Sequence, residues 1–199
     1  MKVALGLRPH SGWAVAVAVG DDAPLDRRRL ALAGVPPPVQ PYPEAAGLPA
    51  ADAAALVEQA TGFAFERAGA ELSALVASLR GAGHEVAGVG IVAGAGSVRE
   101  DLPLERVLAA HSTLHAAEGE LYRDALADAA ADVGLAVTMV PPRDTPALGR
   151  RLLGGTDAAV AARLTELGKP FGPPWTRDHK DALLAGLAVL AHVAERRKR

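Results

Sequence analysis

Short apolar runs separated by polar, glycine- and proline-rich punctuation dominate the first third of the chain. Residues 2–8 form a β-prone run, and Pro9-His10-Ser11-Gly12 closes it with a turn. Residues 13–19 alternate small and β-branched side chains and predict a second strand, joined to the first as a hairpin. After the turn Gly20-Asp21-Asp22-Ala23-Pro24, residues 27–33 alternate again, with Arg27 and Arg29 on one face and Arg28, Leu30 and Leu32 on the other. Three consecutive arginines sit poorly in a doubly buried strand, so this third strand belongs at an edge. Residues 34–49 hold six prolines and read as a long surface crossover, with Gln40-Pro41-Tyr42-Pro43-Glu44 as exposed loop.

The pattern then changes to alternating helices and strands. Residues 51–80 are helical, with a kink expected near Thr61-Gly62 and a stop at Gly81-Ala82-Gly83. Residues 86–93 are apolar and glycine-containing, as a buried parallel strand is, and Gly94-Ala95-Gly96-Ser97 ends them. Helical spacing over 104–133, with an interruption expected at Ser112 or Gly119, leads to a second buried strand at 135–140, closed by Pro141-Pro142. Thr156 is placed to cap a helix over 156–167. A Gly/Pro loop at 168–176 carries Phe171 and Trp175, a last helix spans 177–195, and residues 196–199 form a basic tail. The order β-β-β-α-β-α-β-α predicts one α/β domain over residues 1–199, a mixed sheet of three antiparallel and two parallel strands flanked by helices.

Composition narrows the chemistry. Half of the 199 residues are hydrophobic but only 4% are aromatic, so alanine and valine supply most of the core volume. A formal charge of -2 gives no global basic field to attract nucleic acid, which leaves only local basic patches at Arg27-Arg28-Arg29, Arg150-Arg151 and the tail. With no cysteine, disulfides, thiolate zinc sites and cysteine catalysis are excluded. No apolar run approaches the roughly 20 residues of a membrane helix, and no signal segment is visible, so cytoplasmic residence is expected. Arginine outnumbers lysine 17 to 4. That ratio reads as the coding bias of a GC-rich bacterial genome.

The stretch Val3-Ala4-Leu5-Gly6-Leu7-Arg8-Pro9-His10-Ser11-Gly12-Trp13-Ala14 resembles the opening of Holliday-junction resolvases: strand, glycine, acid, proline, glycine, second strand. Lys180-Asp181-Ala182-Leu183-Leu184-Ala185-Gly186 is similar to their closing helix. Together with the element order, these motifs mark a resemblance to the ribonuclease H-like superfamily along nearly the whole chain. The resemblance implies a two-metal nuclease site, with carboxylates on the first strand, after the fourth strand and on the last helix, holding Mg²⁺ or Mn²⁺. This chain departs from it where it matters most. Arg8 stands at the first-strand acid, and a guanidinium repels a divalent ion rather than ligating it. The fourth strand is followed by acids only at Glu100 and Asp101, so Asp178 and Asp181 on the last helix are the acids that match.

Other polar residues offer candidate chemistry. His111, His115 and Glu118 share a helix face at i, i+4 and i+7, with Arg123 further along and Glu120 set to pair with it. That face reads first as a solvated stripe; its spacing also permits one ion or an acid–base role. His10 in the first turn is either a turn residue or a group aimed at a cleft shared with Lys180 and Asp181. Trp13 reads as packing before it reads as a stacking platform, and the Gly94–Ser97 turn lacks the residues of a phosphate loop. Two functions follow. The first is a ribonuclease H-like domain without two-metal cleavage, binding nucleic acid or a protein, with Arg8, His111, His115, Arg123 and Lys180 as ligand-binding residues. The second is a divergent phosphoester hydrolase rebuilt around His10, Glu118, Asp178 and Asp181, with Mg²⁺ or Mn²⁺ as its only expected cofactor.

Overall fold

The computed structural model describes residues 1–21, 23–94, 98–99 and 101–196. Asp22 and residues 95–97, both read from the sequence as turns, together with Glu100 and the residues beyond Arg196, therefore lie outside the described residues. Strands β1 (Lys2–His10), β2 (Trp13–Gly20), β3 (Ala23–Ala31), β4 (Glu85–Val92) and β5 (Val137–Val140) form one sheet in the order β3-β2-β1-β4-β5. β1–β2 and β2–β3 are antiparallel, while β4 runs parallel to both β1 and β5. The expected topology is observed, with β3 at the edge. β3 begins earlier than expected because β2 turns back tightly, pairing Gly20 with Ala23; the edge position tolerates Pro24, which has no N–H for a second neighbour.

Both faces of the sheet are covered, and strand alternation decides what each helix meets. In β2, Ala14, Ala16 and Ala18 face the core under α2 (Ala50–Gly81) and α4 (His111–Asp132), after the short α1 (Pro41–Ala45) and α3 (Leu104–Leu108). Val15, Val17 and Val19 face the core under α5 (Thr145–Leu153), α6 (Asp157–Gly168) and α7 (Arg177–Arg196). In β1, Val3, Leu5 and Leu7 join the first core and Ala4 the second.

α7 lies unusually close to the sheet. A Cβ on Gly6 would meet the Ala182 carbonyl oxygen at 1.7 Å, and one on Gly90 would meet that of Ala185 at 2.4 Å. Glycine in β1 and β4 beneath Ala182, Ala185 and Gly186 is what lets the helix settle there, and this seam fixes the first turn of α7 above the end of β1.

Several local expectations are corrected. α2 is unbroken at Thr61-Gly62: the Thr61 hydroxyl donates to the Val57 carbonyl at 2.8 Å, and the buried stripe Ala60, Ala64, Ala68, Leu72 runs straight through. The interruption in the 104–133 region falls at Ala109-Ala110, and Gly119 lies within regular helix. Residues 41–45 are helical rather than loop, and α5 occupies a stretch to which the sequence pattern assigns no element. Pro146 sits in the first turn of α5, where its missing N–H has no helical partner to lose. Thr156 caps α6 as expected, accepting from the Ala159 N–H at 3.3 Å.

Candidate functional site

The end of β1 carries residues to both sheet faces. Arg8 and His10 share the face of Ala4 and Gly6, toward α7, whereas Ser11 reaches the α4 side.

On the α7 side the centre is a guanidinium. Arg8 Nη1 donates to the Val92 carbonyl at the end of β4 at 3.1 Å, and its Nε lies 3.7 Å from Asp178 Oδ1. The other Asp178 oxygen is 3.3 Å from His10 Nε2. Asp181, one turn on and buried, is 3.6 Å from Arg177 Nε. Burial raises the Asp181 pKa above the usual carboxylate range, and Arg177, Arg8 and Thr145 oppose that shift. Burial lowers the His10 pKa, helped by Arg8 and Arg29 and opposed by Asp178, so the ring is predominantly neutral at pH 7. The His10 ring stacks on Trp13 at 4.3 Å and 11°, and the Arg29 guanidinium lies 3.9 Å from the Trp13 centroid. Trp13 thus packs and stacks at once, in a half-exposed His10–Trp13–Arg29 ladder at the rim of the centre.

These residues do not fit the metal pair that the superfamily resemblance implies. The Arg8 cation reaches both the end of β4 and a last-helix carboxylate, so it already neutralises the charge an ion would meet. Among the described residues, no group of three His, Asp or Glu side chains is arranged to hold an ion.

The remaining candidates are dispersed. Lys180 Nζ donates to Thr165 Oγ1 on α6 at 2.9 Å, so it turns away from Arg8 and His10. Arg123 pairs with Glu120 at 3.0 Å and with Asp124 at 2.7 Å, and reaches the Gly94 carbonyl at 3.4 Å. His111 and His115 are exposed and meet edge to face at 4.2 Å. Glu118 departs most from expectation: it is not part of a solvated stripe but 2% exposed, between Leu114 and Tyr122 on the buried face of α4. It therefore lies on the opposite sheet face from Asp178, Lys180 and Asp181. Both carboxylate oxygens are closed off from solvent, with the Ser11 hydroxyl and the Tyr42 backbone N–H as their nearby donors. Burial raises the Glu118 pKa, while the nearby Ser11 hydroxyl and Tyr42 backbone only temper the shift. The sequence reading missed Thr145 and Val92 as neighbours of the centre. Their signal was position alone, the ends of elements flanking the last helix.

By sequence the chain matches no family model and no curated protein. By structure it is similar to Thermus thermophilus RuvC in complex with a Holliday junction substrate, with a TM-score of 0.57 and 14% identity over 97% of this chain and 96% of that one. A second T. thermophilus RuvC structure gives 0.54 and 14%, covering 96% of each chain. The chain has the ribonuclease H-like fold in its RuvC form. No described helix is long and apolar enough to cross a membrane.

Proposed function

We propose that this chain is a non-nucleolytic RuvC-fold domain that binds nucleic acid through the Arg8 centre without a divalent ion. The observation that carries the reading is the Arg8 guanidinium, held by the Val92 carbonyl and facing Asp178, where cleavage chemistry would need an anionic oxygen. The stacked His10–Trp13–Arg29 ladder beside it supplies a π-face and a cation, the pairing that single-stranded or unstacked bases use. The fold neighbour solved with a Holliday junction supports branched DNA as the first ligand to try.

The test is a gel-shift series on a four-way junction, a duplex and a single strand, in EDTA and then in Mg²⁺ or Mn²⁺. We expect a salt-sensitive shift in EDTA, weakened by Trp13→Ala, and no cleavage product with either ion. Failure to bind any of the three would overturn the nucleic-acid reading and leave a protein partner.

One observation favours a second reading. A neutral His10 facing a carboxylate at 3.3 Å has the makings of a general base. Phosphoester hydrolysis lost in both His10→Ala and Asp178→Asn would establish that reading in place of the first.

A further inference from the structure

The two edges of the sheet are not alike. β3 carries Pro24 and three consecutive arginines, and Arg27 donates to the carbonyls of Gly172 and Pro174, which holds the loop before α7 against that strand. β5 ends the sheet on the other side with no strand beyond it, and Val137-Thr138-Met139-Val140 holds neither charge nor proline. The ladder shows which of its backbone groups are already used. The Ala136 carbonyl accepts from the Val89 N–H at 2.9 Å, and the Val140 carbonyl accepts from the Ala93 N–H at 3.2 Å. Residues 136, 138 and 140 therefore address β4, and the N–H and C=O groups of Val137 and Met139 point outward. Among the described residues, no backbone group from outside the sheet meets them. Met139 is 45% exposed.

A cleft of about 340 Å³ lies beside this edge, on the α7 side of the sheet. Thr138 and Val140 of the strand, Leu148 of α5 and Ala188 of α7 wall it, and Met139 belongs both to the cleft and to the outward edge. Strand side chains alternate between faces, so a segment added to β5 would present every second side chain to this cleft. We infer that the β5 edge takes up an extended segment of another protein, bonded to the backbone of Val137 and Met139, with one apolar side chain lodged between Leu148 and Ala188. Main-chain bonds give such strand addition its affinity, and a pocket for an alternate side chain gives it specificity. Asp144 and Arg151 stand in the same wall with opposite charges, so the cleft carries no net charge to select an ionic group. A second copy of this chain is a poorer occupant. A two-fold pairing that bonds both Val137 and Met139 has to be centred on Thr138, which would offer the cleft only a threonine and leave its apolar wall uncovered. The inference is independent of the Arg8 centre.

The test selects from a library of random linear peptides of about ten residues, the upper length of a common strand, on the full chain, with counter-selection against Met139→Pro. Proline there removes one outward N–H and spares the bonds to β4. Ala147 is exposed and lines the cleft, so Ala147→Trp fills the side-chain seat without entering the core. We expect enriched peptides with alternating apolar residues that bind at least about tenfold more weakly to each variant. Either variant alone decides the matter should the other fail to fold by circular dichroism. Bound peptide should slow amide exchange at Val137 and Met139 at least about tenfold, and N-methylation of alternate peptide residues should abolish binding. Recovery of no peptide that survives counter-selection, unchanged exchange at Val137 and Met139, or indifference to Ala147→Trp would each overturn the inference. A wild-type dimer in sedimentation that Met139→Pro dissolves would overturn it in favour of a second copy.

Discussion

Replacing Gly6 by alanine tests the seam that places α7. The added Cβ would lie 1.7 Å from the Ala182 carbonyl oxygen, 2.6 Å from its carbon and 2.9 Å from the Gly186 nitrogen. All three are backbone atoms, so no rotamer change relieves the clash. To bring the first distance to 3.0 Å, the least that real contacts show, the helix must retreat by about 1.3 Å. A radial gap of 0.5–1 Å already forfeits roughly a quarter to a half of the dispersion well. The interface concerned includes Ala182, Ala185, Val189 and the valines of β2. Overpacking of this kind costs about 1–3 kcal/mol and sometimes more, and we expect about 3 kcal/mol here. With urea m-values of roughly 1–3 kcal/mol/M, the unfolding midpoint should fall by about 1 M or more. Gly62→Ala is the control, because a Cβ at Gly62 in mid-helix meets nothing within 4 Å. That variant should gain roughly 0.5–1 kcal/mol from helix propensity. Equal midpoints for Gly6→Ala and wild type, or a loss in Gly62→Ala as large as in Gly6→Ala, would refute the argument that close approach rather than chain flexibility requires Gly6.

Three further outcomes are expected. Titration calorimetry should detect no stoichiometric Mg²⁺ or Mn²⁺ binding to wild type, and Arg8→Asp should gain it, since a third carboxylate then joins Asp178 and Asp181; tight Mg²⁺ binding by wild type, lost in Asp181→Asn, would contradict this. Glu118→Gln should be more stable than wild type at pH 7, because it removes the ionisation that burial penalises. Because the folded-state pKa of Glu118 is raised, the native state holds the extra proton, so wild-type stability falls as pH rises through that pKa, and urea melts should show the two proteins converging below about pH 4.5. Asp178→Asn should lower the His10 pKa further, because Asp178 is the group that raises it; an NMR titration in which that pKa rises would break the assignment.

The sheet was legible because strand alternation is a local signal, and β2 carries it in its purest form as alanine and valine in turn. The last-helix acids were legible for a similar reason, since Asp178 and Asp181 sit one turn apart at the start of an apolar helix. Glu118 was misread although its signal was present. It stands four residues after Leu114 and four before Tyr122, so the 3.6-residue period puts it on the buried stripe. Grouping it with His111 and His115 followed polarity instead of angle. Lys180 shows the same limit, because its neighbour Asp181 points about 100° away around the helix. Which sheet face α4 would cover, and hence whether Glu118 meets Asp181, depends on crossovers that no single segment encodes.

The cation at the heart of the α7 face is covalently part of the chain. A bound ion is loaded from solution, stripped by chelators and exchanged for competitors, so a centre built on one follows the cell's supply. Arg8 is present once in each molecule from the moment of translation. The field it sets at Asp178 and His10 therefore has neither an empty state nor a misloaded one, and whatever the centre recognises it should recognise alike in metal-starved and metal-replete conditions.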